Sequence, residues 1–191
     1  MRLFVALDIA SEIRERITAF RNQMRVLAPE VRWVGPETFH VTLQFLGETK
    51  KMEPIRRALH DVKSGPVQIS FRSTGFFPNP QAPRVFWVGI QSDEQLQILA
   101  GEVASALQPL GFQRDAGPYA PHLTLARSGS GRSRPVSGER SAPGLQRVRD
   151  QLATMPHPDF GTMMATEFCL YQSHLSPAGA RYEKRALYPL H

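Results

Sequence analysis

One short pattern occurs twice in the chain and constrains the fold more than any other feature. A histidine and a threonine two residues apart stand in an apolar run, first as His40 and Thr42 and again, 82 residues later, as His122 and Thr124. Runs of this composition favour β-strands, in which residues i and i+2 point to the same side. The alternate residues of the first strand are expected to face a core, and they are Phe39, Val41, Leu43 and Phe45. If the two strands meet, two imidazoles and two hydroxyls line one cleft.

The segments around the motifs predict an α+β fold with antiparallel sheets. A β-favouring stretch at residues 2–7 precedes a helix whose apolar residues share one face, and the first motif strand then covers residues 39–46. Two further helices and two strands, at residues 67–71 and 84–90, lead to the second motif strand at about residues 119–127. A short helix with Leu145, Val148 and Leu152 is expected after the loop that follows this strand. Two strands, at about 165–175 and 181–187, end the chain. No glycine-rich turn of the kind found in nucleotide-binding parallel sheets joins a strand to a helix.

Length and composition restrict the class of protein. With 191 residues the chain fits one domain, or two lobes that share a cleft. The net charge of +6 suits an anionic ligand such as a nucleic acid, and the preference for arginine over lysine fits phosphate binding or a GC-rich genome equally well. The single cysteine, Cys169, excludes a disulfide framework. Without a signal peptide or an apolar stretch of about 20 residues, we expect a cytoplasmic protein with no membrane contact.

A segment from residue 128 to about 144 differs in composition from the rest of the chain. It consists mainly of serine, glycine, arginine and proline, which predicts a mobile loop. Between residues 128 and 150 there are five arginines against Glu139 and Asp150. This surplus of positive charge makes the loop a candidate contact for RNA.

Seven stretches together, in order along nearly the whole chain, carry a resemblance to a known family. They are residues 2–7, 32–34, 39–48, 75–78, 83–89, 121–127 and 175–182. In this combination the chain resembles the RNA 2',3'-cyclic phosphodiesterases, also called 2'-5' RNA ligases, which belong to the two-histidine (2H) phosphoesterase superfamily with its HxTx motifs. Residues 128 to about 143 form a longer and more basic insertion than the family pattern has.

The resemblance implies a fold and a reaction. Residues 1–191 are expected to form a single bilobal domain with pseudo-twofold symmetry, in which each lobe gives one motif strand to a central cleft. The implied reaction is hydrolysis of an RNA 2',3'-cyclic phosphate to a 2'-phosphate, with reversible 2'-5' RNA ligation as a second reaction. RNA with 2',3'-cyclic phosphate ends, or small cyclic nucleotides, would be the partners of a monomeric enzyme.

The residue types in the motifs suit this chemistry. Histidine can act as base or acid at neutral pH, and in keeping with the family we assign His122 as the general base and His40 as the general acid. Thr42 and Thr124 would donate hydrogen bonds to the phosphoryl oxygens. No third ligand with metal-site spacing accompanies the two histidines, so we expect neither a metal nor another cofactor.

Arg127 matches the arginine that the family directs at the substrate phosphate. Strict alternation along the strand would place it on the face opposite to His122, so a phosphate contact requires that the strand ends or bulges near Ala126. Among the aromatic residues, Phe45 could stack on a base, but packing in the core is favoured for it. Trp33 and Tyr119 fit either packing or stacking on a base.

Other functions compete with this prediction. The same chemistry could act on a small cyclic phosphate nucleotide or on a 2'-5' oligonucleotide. A non-catalytic RNA-binding module that uses the arginine-rich loop is the alternative from a different class. The two intact His-x-Thr motifs favour an enzyme, whereas a single motif would more often contain a histidine with a purely structural role.

Overall fold

A computed structural model of the chain describes residues 1–114, 117–128, 143–176 and 179–191. Within these ranges the chain forms four helices and nine strands, which confirms the predicted α+β class. The helices are α1 (Ser11–Leu27), α2 (Met52–His60), α3 (Glu94–Leu107) and α4 (Pro143–Leu152). The strands are β1 (Arg2–Leu7), β2 (Arg32–Trp33), β3 (Val41–Glu48), β4 (Val67–Phe77), β5 (Val85–Ser92), β6 (His122–Arg127), β7 (Asp159–Ala165), β8 (Glu167–Ser176) and β9 (Gly179–Pro189).

The strands form two sheets, and every pairing in them is antiparallel. The β3 sheet has the order β3-β1-β8-β9, and the β6 sheet has the order β2-β6-β5-β4-β7. The halves of the chain are interleaved, since β8 and β9 complete the β3 sheet while β4 joins the β6 sheet. Each motif strand thus belongs to a different sheet, β3 at an edge and β6 next to the short strand β2.

One continuous apolar core joins the two sheets. It contains Leu3 and Val5 of β1 as well as Phe71 of β4 and Phe86 of β5. Helix α3 packs against both β3 and β4, and the apolar face of α1 packs against β7. A separate small cluster on the β3 sheet consists of Phe4, Ala6, Cys169 and Tyr171. Alternate residues of β1 therefore belong to different clusters, as the two faces of a strand require.

Two predicted boundaries are wrong. The first motif strand begins at Val41 rather than at residue 39, because a 3₁₀ turn at Pro36–Thr38 precedes it. The second begins at His122 rather than at 119. Helix α4 begins at Pro143, close to the loop end predicted at about residue 144, and Gly144 packs so closely that a Cβ would lie 2.5 Å from Cγ2 of Val31. The other residues of the predicted mobile loop, except Ser128, lie outside the described ranges.

The described helices bear on the predicted lack of membrane contact. Within the described ranges, no helix is both long and apolar enough to cross a bilayer.

Candidate active site

The first motif strand carries a β-bulge directly after its threonine. Thr42 and Gln44 pair with consecutive residues of β1, so Leu43 is an extra residue in the ladder. A bulge turns two consecutive side chains to the same side of the strand, and both Leu43 and Gln44 are buried. Phe45 is consequently turned outward and is 54% exposed. Its prediction as a core residue is therefore wrong.

The second motif strand has a bulge at the same place. Thr124 and Ala126 pair with consecutive residues of β5, so Leu125 is the extra residue, and both Leu125 and Ala126 are fully buried. The bulge returns Arg127 to the face of His122 and leaves it exposed. The irregularity that a phosphate contact by Arg127 requires is thus present. The contact itself stays a prediction.

Each motif histidine is oriented by a backbone carbonyl two residues earlier. Nδ1 of His40 lies 2.6 Å from the carbonyl oxygen of Thr38, and Nδ1 of His122 lies 2.9 Å from that of Ala120. A carbonyl oxygen can only accept a hydrogen bond, so Nδ1 carries a proton in both rings. In each histidine Nε2 is then the nitrogen that can take up or release a proton.

Aromatic rings hold both imidazoles. His40 lies 4.8 Å from the ring of Phe4 and 5.2 Å, edge-on, from that of Tyr182. His122 lies 5.0 Å, edge-on, from the ring of Phe77. These contacts limit rotation of the imidazoles, and they remove water from around them.

The surroundings lower the pKa of both histidines. Burial is the main cause in each case, because it disfavours the charged imidazolium. The carbonyl partner of each ring acts against this effect, as does the charge of Asp8 on His40. The charges of His122 and Arg127 lower the pKa of His40 further, and Arg127 also lowers that of His122. Groups of the β6 sheet therefore lie within electrostatic range of the histidine of the β3 sheet.

A cavity of about 140 Å³ contains residues from both motif strands. Thr42 of β3 and His122 of β6 line it, so one residue of each motif lies at the same cavity. Its other lining residues are Leu43, Gln44, Phe45, Arg114, Gly117, Pro118, Tyr119 and Ala120. His40 and the half-buried Thr124 are not part of this lining. A larger cavity of about 750 Å³ between α2 and β9 contains none of the motif residues.

Sequence reasoning favoured core packing for Phe45, left Tyr119 undecided and did not single out Asp8. Phe45 could have been found by aligning the two motif segments, since it stands five residues after His40 as Arg127 stands five after His122. Asp8 follows the last residue of β1, where no motif marks it. Its carboxylate accepts hydrogen bonds from the Tyr171 hydroxyl at 2.7 Å and from the Lys184 ammonium at 2.8 Å.

Trp33 and two further histidines are structural or exposed. The indole nitrogen of Trp33 donates to the carbonyl of Ala28 at 2.8 Å, and its ring packs edge-on against Phe86. His60 is exposed at the end of α2, while His174 bonds to Glu183 at 2.9 Å. Across the part of the chain that the structure describes, no cluster of three or more His, Cys, Asp and Glu side chains could hold a metal ion.

Two antiparallel sheets that each bring one His-x-Thr strand to a shared cleft have the architecture of the two-histidine phosphoesterases. A family model described as LigT-like phosphoesterase matches residues 7–87 and again residues 88–182. The chain belongs to this family. The double match agrees with the repeated motif, since each matched segment contains one copy.

Two named proteins and one solved structure are similar to this chain over nearly its full length. An Archaeoglobus fulgidus protein named RNA 2',3'-cyclic phosphodiesterase is 37% identical over 96% of this chain and 97% of its own length. A protein of the same name from Methanocaldococcus jannaschii is 32% identical over the same shares. The structure of E. coli LigT complexed with 3'-AMP has a TM-score of 0.75 and 26% identity, with 99% of this chain and 97% of that chain covered.

Proposed function

We propose that the chain hydrolyses the 2',3'-cyclic phosphate at the end of an RNA to a 2'-phosphate, with one histidine from each sheet as acid and base. The observation that carries this proposal is the matched pair of imidazoles, each held at Nδ1 by a carbonyl and each with Nε2 available. The relatives with the name of this activity, which cover nearly the whole chain, support the choice of reaction.

The reaction runs through two proton transfers and one displacement at phosphorus. Nε2 of neutral His122 takes a proton from water, and the water oxygen bonds to phosphorus as the bond to the ribose 3'-oxygen breaks. Nε2 of protonated His40 gives its proton to that oxygen, which leaves a 2'-phosphate and a 3'-hydroxyl. Proton exchange with solvent restores both rings. With the 5'-hydroxyl of a second RNA in place of water, the same steps form a 2'-5' linkage.

The phosphoryl oxygens need donors in the transition state. Thr42 and Thr124 stand two residues after their histidines, so their hydroxyls are placed to donate from both sides of the phosphate. Arg127, turned to the same face by the bulge in β6, supplies a charged donor. Thr42 lines the same cavity as His122, which puts a threonine from one sheet near the proposed base from the other.

The cavity has room for more than the phosphate, and aromatic residues line it. Phe45 and Tyr119 are among them, and the exposed ring of Phe45 is a stacking surface for a base. The net charge of +6 favours a polyanion such as RNA over a mononucleotide. A small cyclic nucleotide is the second candidate substrate, favoured by the modest volume of about 140 Å³.

The test is to incubate the protein, with and without EDTA, with an RNA that ends in a 2',3'-cyclic phosphate. We expect a 2'-phosphate end in both samples, while a matched RNA with a 3'-hydroxyl end should stay unchanged. A 3'-phosphate product, or no turnover, would contradict the proposal. The ratio of kcat/KM for this RNA to that for a nucleoside 2',3'-cyclic phosphate decides between the two substrates.

A further inference from the structure

The hydroxyl of Tyr119 joins the two motif strands across the cleft. It donates a hydrogen bond to the backbone carbonyl oxygen of Thr42 at 2.9 Å. Tyr119 stands three residues before His122 in the segment that leads into β6, while Thr42 lies on β3, an edge strand of the other sheet. The side chain of one half of the site thus binds the main chain of the other half.

A second hydrogen bond makes this link part of a closed ring. The amide of Val34 donates to the carbonyl of Leu125 on β6 at 2.8 Å, next to the pairing of β2 with β6. From Val34 the chain runs to β3, so residues 34–42 and residues 119–125 are joined at both ends. All four motif residues belong to this ring: His40 and Thr42 to one segment, His122 and Thr124 to the other.

The environment of Tyr119 favours a persistent bond. The side chain is half-buried, and burial raises the pKa of its hydroxyl, so the hydroxyl keeps its proton at neutral pH. The guanidinium of Arg114 lies 6.0 Å from the centre of the Tyr119 ring. Nearby, the side-chain Nε2 of Gln44 on β3 donates to the backbone carbonyl of Gln113 at 3.4 Å, which is a weaker contact between β3 and the segment before β6.

We propose that Tyr119 is a positioning residue that sets the spacing of the two catalytic histidines. This inference rests on the proposed function, in which Nε2 of His122 must reach the attacking water and Nε2 of His40 the leaving 3'-oxygen, on opposite sides of phosphorus. Tyr119 itself transfers no proton and acts through the main chain of Thr42. Small errors of placement are costly, since a displacement of about 1 Å can slow a reaction roughly 100-fold.

The test compares Tyr119→Phe, which keeps the ring and loses the hydroxyl, with Tyr119→Ala. Loss of one hydrogen bond should lower kcat about 3- to 10-fold in Tyr119→Phe while KM stays within about twofold of wild type. The alanine variant also loses the aromatic wall of the cavity, so its KM should rise as well. Tyr188→Phe is the matched control, because that hydroxyl donates to the carbonyl of Arg56 at 3.3 Å, far from the motifs.

Hydrogen exchange gives a readout that does not need turnover. Amide exchange in peptides covering residues 34–46 and 117–125 should become faster in Tyr119→Phe and stay at the wild-type rate in Tyr188→Phe. A Tyr119→Phe variant with wild-type kcat overturns the proposal, whatever its exchange rates. If the wild-type protein does not turn over the RNA, the proposed function fails, and exchange alone decides whether Tyr119 holds the strands together.

Discussion

The two motif strands, β3 and β6, are built alike up to the fifth residue after each histidine and differ there. In both, a bulge follows the threonine, and the next residue on the cleft face is Phe45 in β3 but Arg127 in β6. The shared histidine and threonine suit a reaction that needs a proton-transfer group and a donor on each side of phosphorus. Of the two differing residues, Phe45 suits the aromatic base of a substrate and Arg127 suits its anionic phosphate. In the proposed function, proton transfer depends on the residues that the two strands share, and substrate binding depends on the residue that differs.

The largest effect on kcat is expected when one of the two histidines that the motif strands share is removed. His40→Ala and His122→Ala should each lower kcat by roughly 10²- to 10⁴-fold, because each removes one positioned proton transfer. The double variant should lose much less than the product of the single losses, since the two groups act as a unit. Initial rates on cyclic-phosphate RNA measure this.

His60→Ala is the control for the histidine variants, because His60 is exposed on α2 and should not affect the rate. Near-full activity in either motif variant would show that the two half-sites do not share the chemistry.

The next largest effect is expected at Arg127, the charged one of the two residues that differ between the motif strands. Arg127→Ala should lower kcat/KM by roughly 10- to 100-fold, the range expected for a charged hydrogen bond to phosphate. Arg127→Lys should recover part of the loss, since lysine keeps the charge but not the two-pronged geometry. Arg57→Ala, an exposed arginine on α2, is the matched control. Equal losses at positions 57 and 127 would reduce the role of Arg127 to general attraction.

A smaller effect is expected at Phe45, the aromatic one of the two residues that differ between the motif strands. Phe45→Leu should raise KM for cyclic-phosphate RNA by roughly 5- to 30-fold, because stacking on a base is lost while an apolar side chain remains. A cyclic phosphate without a base, such as glycerol cyclic phosphate, should react with wild type and variant alike. Met164→Leu on β7 is the control, since Met164 is 53% exposed and lies in the other sheet. Equal effects on both substrates would mean that Phe45 shapes the strand rather than binds a base.

Much of the fold and the histidine–threonine pairs could be predicted from sequence, because local patterning carries them. The face to which the side chains after each threonine point could not be predicted, since a bulge is defined by register against a partner strand distant in sequence. Arg127 signalled the irregularity because a charged residue was predicted on the wrong face. Phe45 gave no such signal, as an aromatic residue fits a core equally well. The Tyr119 bond depends on how the two sheets approach each other, which no local pattern encodes.

The smallest expected effect concerns the pH dependence of the two halves. Burial lowers the pKa of both histidines below the usual value of about 6.5, so the mean of the two values also falls. The base must be neutral and the acid protonated in the free enzyme, so kcat/KM should be greatest near that mean, below about pH 6.5. An optimum well above pH 7 would contradict this expectation.

Asp8 offers a way to tell the two histidines apart. Its charge raises the pKa of His40, whereas the charge acting on His122 is that of Arg127, which lowers its pKa. Asp8→Asn keeps an acceptor for Tyr171 but removes the charge, so the pKa of His40 should fall. If His40 is the acid, the alkaline limb of the kcat/KM profile moves to lower pH, because the proton it must donate is lost earlier. If the acidic limb moves instead, His40 is the base and the assigned roles are reversed. Asp61→Asn, beside the exposed His60, should move neither limb.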